Sequence, residues 1–109
     1  MSNASAERRL GARRAMVLAT EVVELPRGAK LTARTADISR TGCYIDTLNP
    51  IGCGSQVRVR VTHNDETFEA LGQVVYVSPG LGMGVSFAEI TPEQIARLES
   101  WLKESGTEF

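Results

Sequence analysis

Apolar and polar positions alternate most strictly in residues 56–65, where Val57, Val59 and Val61 are separated by Arg58, Arg60 and Thr62. A period of two puts the three valines on one face, which predicts a half-buried antiparallel strand. His63-Asn64-Asp65-Glu66 follows as a polar turn, and residues 67–77, closed by Ser78-Pro79-Gly80, return as the second arm of a long hairpin. Upstream, residues 15–25 (AMVLATEVVEL) are rich in Val and Leu and end at the turn signal Pro26-Arg27-Gly28, predicting one strand and a loop. The next segment, KLTARTADIS, sends Leu31, Ala33, Thr35 and a less clearly placed Ile38 to one face, and Thr32, Arg34 and Ala36 to the other.

Gly42 breaks into a brief strand at Cys43, Tyr44 and Ile45, before Asn49-Pro50 and two glycines turn the chain. The last strand, LGMGVSF, carries Gly82 and Gly84, whose missing side chains permit bulges or close backbone approach while Val85 and Phe87 pack. Thr91-Pro92-Glu93-Gln94 then reads as a helix start, with Thr91 as the cap. Ile95, Leu98, Trp101 and Leu102 fall at helical spacing over residues 92–104, and Gly106 can end the helix. Six short strands with regular turns and one terminal helix predict an all-β, six-stranded antiparallel barrel, because closure removes exposed strand edges.

At 109 residues with 42 % hydrophobic content, the chain has room for one core and one domain. The net charge of −1 gives no reason to expect a general nucleic-acid or membrane-surface binder. Its distribution changes that picture. Residues 1–40 hold eight basic and four acidic side chains, a net of +4, and residues 41–109 hold four and nine, a net of −5. The front of the chain is the candidate anion site. Cys43 and Cys53 lack zinc spacing and read as reduced core or loop residues. The opening MSNASAERR has no apolar run of a signal peptide, and no stretch approaches the roughly 20 apolar residues that cross a bilayer, so a cytoplasmic location without membrane insertion is expected. Ser2-Asn3-Ala4 has the composition of an expression scar, and residues 1–6 are set aside as a disordered terminus or tag remnant.

Two groups of residues carry candidate chemistry. In Glu7-Arg8-Arg9-Leu10-Gly11-Ala12-Arg13-Arg14, four guanidinium groups crowd into seven positions before the first strand. Such crowding is relieved by an anion, and arginine both forks onto phosphate and stacks on a purine. A cluster of this kind standing alone is most often a solvated arm. The second group is Asp37-Ile38-Ser39-Arg40-Thr41-Gly42 at a strand end. Asp37 and Ser39 can bond a base edge or nearby backbone, and Gly42 permits a geometry that other residues avoid, although any tight turn uses the same residue types.

Taken together, the two groups resemble the PilZ family, whose pattern is Arg-x-x-x-Arg before the first strand followed by Asp or Asn-x-Ser-x-x-Gly some 20–30 residues later. Arg9 and Arg13 match the first half, Asp37, Ser39 and Gly42 match the second, and Gly82-Met83-Gly84-Val85-Ser86-Phe87 is similar to that family's final strand. The resemblance spans residues 7–103. It implies a receptor for cyclic di-GMP in which residues 7–14 form a flexible arm that closes over the ligand. Arg9 and Arg13 would hold phosphate and guanine, and Asp37, Ser39 and Gly42 the other face and edge. Arg8 would help a second nucleotide stack on the first, and Gly84 is a further candidate. Arg14 and Arg40 either add phosphate contacts or are solvated, the solvated reading being preferred for Arg40. Usual outputs of the family are motility, adhesion or biofilm exopolysaccharide.

With no output domain in these residues, the signal is expected to leave through a protein partner or a change in self-association of a monomer or weak dimer. One alternative is a PilZ-like interaction module with weak or no nucleotide binding. A small nucleic-acid-binding barrel comes next, disfavoured because only six aromatics exist and none is interleaved with basic residues as a stacking platform. No nucleophile–base pair, metal cluster or phosphate loop points to an enzyme, and no cofactor is expected. His63 reads as a surface histidine, Asp65 and Glu66 as a solvated turn, and Trp101 as core.

Overall fold

A computed structural model of the chain describes residues 14–106. The strands are β1 (Arg14–Ala15), β2 (Ala19–Leu25), β3 (Ala29–Ile38), β4 (Gly42–Asp46), β5 (Gln56–His63), β6 (Glu66–Ser78) and β7 (Gly82–Glu89), followed by one helix, α1 (Pro92–Gly106). Strands β3-β2-β5-β6-β7-β4 form an antiparallel sheet that closes on itself through a β3–β4 pairing, and β1 is added beside β3. The expected six-stranded barrel with a terminal helix is therefore present.

The valines that announced β5 line the interior: Val57, Val59 and Val61 are fully buried together with Val22 of β2, Ile45 of β4, Phe68 of β6 and Met83 of β7. The β5–β6 turn is made by Asn64 and Asp65, both with positive φ (52° and 65°). That places it among the tight two-residue hairpin turns whose twist suits paired strands. Helix α1 closes the barrel at the face of β6, burying Leu98 and Trp101, whose ring packs against Phe68 at 6.3 Å. Thr91 caps it as expected, its hydroxyl accepting from Gln94 N at 3.3 Å. The Gln94 side chain does not fold back to complete the cap. It accepts from Glu69 N at 2.9 Å, and Arg97 donates to Thr67 O at 2.6 Å, so both residues fasten the helix to β6.

Three expectations are corrected. Residues 15–25 are not one strand: the chain kinks at residues 16–18 between β1 and β2. Buried Thr35 holds the kink, donating its hydroxyl to Met16 O at 2.6 Å and accepting from Leu18 N at 3.0 Å, a side-chain replacement for ladder bonds that no periodicity reveals. His63 is not a turn residue in solvent. It ends β5, its ring meets Trp101 edge-on at 5.2 Å, and its Nε2 lies 3.5 Å from Glu104. Glu66 begins β6 and accepts the Trp101 indole N–H at 2.8 Å. The polar end of the hairpin is thus a clasp for α1. Neither cysteine is joined in a disulfide, Cys43 being buried and Cys53 exposed.

A register shift in β3 bears most directly on the candidate site. Thr35 pairs with Ile45 and Asp37 with Tyr44, leaving Ala36 as an extra residue. This bulge reverses the alternation of the strand. Ile38, on the wrong parity relative to Leu31, Ala33 and Thr35, turns inward and is fully buried, whereas Asp37 turns outward beside Tyr44.

Candidate functional site

The candidate site gathers where β3 leaves the barrel and turns into β4. Backbone bonds fix the turn: Ser39 N donates to Gly42 O at 2.8 Å, and Phe87 N of β7 donates to Thr41 O at 2.9 Å. Ser39 is only 2 % exposed. Its hydroxyl accepts from Thr41 N at 3.2 Å and donates to Gly42 O at 3.4 Å, so in this conformation the side chain serves the turn itself.

Gly42 is required for a different reason from the one expected. It is not among the positive-φ glycines, which among the described residues are Gly28, Gly54 and Gly80. A Cβ on Gly42 would instead overlap the carbonyl oxygen of Val85 and reach within 3.3 Å of the Ser86 backbone. The close approach of β4 to β7, where Gly42 pairs with Ser86, is what excludes a side chain.

The register of β1 supplies the second half. Arg14 is paired with Ile38 and Ala15 with Asp37, so the backbone entering the barrel runs directly beside the strand that ends in the turn. Arg13 is the covalent neighbour of Arg14, one residue upstream of that pairing. The residues Arg8, Arg9 and Arg13 themselves lie outside the described residues. The structure thus brings together Asp37, Ser39, Gly42 and the backbone of Arg14.

Arg40 is half-exposed but not merely solvated, since its Nη1 lies 3.0 Å from Glu99 Oε2 on α1. On the other side of the turn, Tyr44 of β4 and Tyr76 of β6 lie with ring centroids 6.0 Å apart. Gly84, a candidate from the sequence, lies between them and beneath the Tyr76 ring. Reading the sequence missed the Tyr44–Tyr76 pair and the Arg40–Glu99 link because each joins strands or a helix distant along the chain. The paired glycines of β7 were the one local sign that something packs closely there.

Among the described residues no group of three or more His, Cys, Asp or Glu side chains is placed to hold a metal, and no helix is long and apolar enough to cross a membrane.

A PilZ domain family model matches residues 7–104. A search of the curated proteins finds no match. Three solved structures are similar at the level of the fold. The PilZ domain of CeSA from a cellulose-synthesizing bacterium has 18 % identity over 84 % of this chain and 98 % of its own, with a TM-score of 0.66. The Bacillus subtilis inhibitor of motility MotI/DgrA has 17 % identity over 86 % of this chain and 48 % of its own, with a TM-score of 0.71. The PilZ domain of YcgR from Escherichia coli, solved with c-di-GMP, has 17 % identity over 90 % of this chain and 91 % of its own, with a TM-score of 0.73.

Proposed function

We propose that this chain, which belongs to the PilZ domain family, is a receptor for cyclic di-GMP that passes ligand occupancy to a protein partner. One observation supports the reading: the β1–β3 register pairs Arg14 with Ile38 and Ala15 with Asp37, so the residue that follows Arg13 in sequence lies beside the strand that carries Asp37. The binding of c-di-GMP by a fold of the same kind, the PilZ domain of YcgR, supports it further.

In this proposal Arg9 and Arg13 hold phosphate and guanine, and the arm expected over residues 7–14 orders over the nucleotide up to Arg13, Arg14 being already paired in β1. Charge-assisted bonds offset the entropy of ordering them. Asp37 offers carboxylate oxygens to the donor groups of a guanine edge. Ser39 and Gly42 keep the turn in the shape that presents Asp37. Arg8 and Arg14 add positive charge at the same edge. A cytoplasmic location, a monomeric or weakly dimeric state and an output in motility or biofilm formation belong to the same proposal.

A second reading, a protein-docking barrel with weak or no nucleotide binding, is favoured by the commitment of the Ser39 hydroxyl to its own turn. Calorimetric titration with cyclic di-GMP separates the two, run beside an Arg9→Ala, Arg13→Ala double variant and with GTP as the control nucleotide. Micromolar or tighter binding that the double variant loses is the expected result. No heat from the native protein, after removal of co-purified nucleotide, would favour the docking barrel.

A further inference from the structure

We propose that the edge of β3 over residues 29–33 takes an extended segment of a partner protein as an added antiparallel strand, one that carries an acidic side chain opposite Thr32. The proposal rests on the partner half of the receptor reading and deepens it.

The opening follows from unequal strand lengths. β3 has ten residues and β4 only five, and their pairing stops at Arg34 with Asp46. Thr47 then follows the other neighbour, its N–H donating to Leu81 O at 3.0 Å. Its hydroxyl accepts from Asn49 N at 3.1 Å and bends the chain away. Among the described residues, 29–33 therefore pair with β2 alone. That leaves about 17 Å of open edge.

Parity decides which backbone groups face the opening. Thr35 N donates to Leu18 O at 3.0 Å, so Thr35 turns its backbone groups toward β2. Ala33, Leu31 and Ala29 follow at every second residue of an unbroken register. Lys30 and Thr32 turn theirs the other way, and among the described residues nothing hydrogen-bonds these two N–H and two C=O groups. Both residues are exposed. Such a row is the template on which an extended segment builds a strand.

Side chains along the edge select the segment. Leu31 and Ala33 pack against the core, so residues opposite them face inward and are apolar. Lys30, Thr32 and Arg34 alternate with them on the outer face. Lys30 lies 3.6 Å from Glu21, while Arg34 makes no ion pair among the described residues. A carboxylate opposite Thr32 stands on the diagonal to both cations. A second copy of the chain, pairing through the same edge, would instead set Lys30 and Arg34 against their own images.

The test uses the end-blocked peptide Glu-Val-Glu-Val-Glu-Val-Glu, with its lysine-for-glutamate counterpart as control. In the protein alone, amide exchange should be fast at Lys30 and Thr32 and slow at Leu31 and Ala33. Millimolar acidic peptide should slow exchange at Lys30 and Thr32 about tenfold, and the lysine peptide should not. Thr32→Pro removes an edge N–H that the β2 ladder does not use, so melting temperature and cyclic di-GMP affinity should hold while peptide binding falls about tenfold. Should that variant fail to fold, Arg34→Gln carries the test, weakening the acidic peptide about threefold and leaving the lysine peptide unchanged. Unaltered exchange at Lys30 and Thr32, equal protection by both peptides, or undiminished peptide affinity in the variants overturns the proposal and leaves nucleotide binding untouched. No heat with cyclic di-GMP from the same preparation overturns the receptor reading and not the edge.

Discussion

Arg40 and Glu99 join the turn of the candidate site to the terminal helix, their guanidinium and carboxylate 3.0 Å apart. Both side chains are nearly half exposed (49 % and 45 %), so solvent screens the pair and its contribution to stability is at most about 0.5 kcal/mol. Its more useful consequence is for binding, since a phosphate approaching the turn must compete with Glu99 for Arg40. Glu99→Gln should leave thermal stability almost unchanged and tighten cyclic di-GMP binding about threefold, read by paired melting and calorimetry. Weaker binding would show that the ion pair is needed to hold the turn.

Ser39→Ala removes the acceptor for Thr41 N and one donor to Gly42 O. At a site this buried the loss should destabilise the protein by about 1–2 kcal/mol in urea unfolding, with the slope unchanged. Ser39 would act on ligand through the shape of the turn, so affinity should fall even though its hydroxyl is hardly exposed. Unaltered stability would return Ser39 to the role of a direct ligand contact.

Gly42→Ala forces a methyl group into the Val85 carbonyl. Because the obstacle is backbone in the neighbouring strand, β4 and β7 must separate, at about 2 kcal/mol or more. Gly28→Ala is the control: nothing lies within 4 Å of its added Cβ, and its penalty is only that of holding alanine at φ +83°, about 1 kcal/mol. Chemical denaturation should rank the two in that order.

Thr35→Val keeps the volume of a fully buried side chain and deletes the hydroxyl that bridges Met16 O and Leu18 N. Leaving both backbone groups without that partner should cost about 2–3 kcal/mol. Amide exchange should accelerate first at Leu18, whose N–H loses its acceptor. Since the same kink delivers β1 to the side of β3, cyclic di-GMP affinity should also drop. Retained protection at Leu18 would show that the kink stands without the threonine.

The strands with clean alternation were legible in the sequence, β5 most of all, and so was the helix, because burial there follows a period that the residue types record directly. The turn at residues 37–42 stood out by resemblance, but not the reason for Gly42, since a close approach by β7 leaves no trace near position 42. The break between β1 and β2 was hidden for a related cause: Met16, Val17 and Leu18 read like strand residues, and it is a threonine far along the chain that bends them. His63, Glu66 and Trp101 looked unrelated until the hairpin and helix met.

The bulge at Ala36 gives the outer carboxylate an unusual kind of safeguard. Whether Asp37 faces water depends on how many residues lie between Leu31 and itself, not on which residues they are. Point substitutions along that stretch leave the count intact. Loss of a single codon there would only remove the extra residue, because strict alternation from Thr35 would still turn aspartate outward and isoleucine inward, whereas gain of one with the bulge unchanged would reverse both, silencing recognition and weakening the barrel in one event. The location of the candidate site is in that sense written in the chain as a number, and a lineage can lose it most abruptly by an error of length.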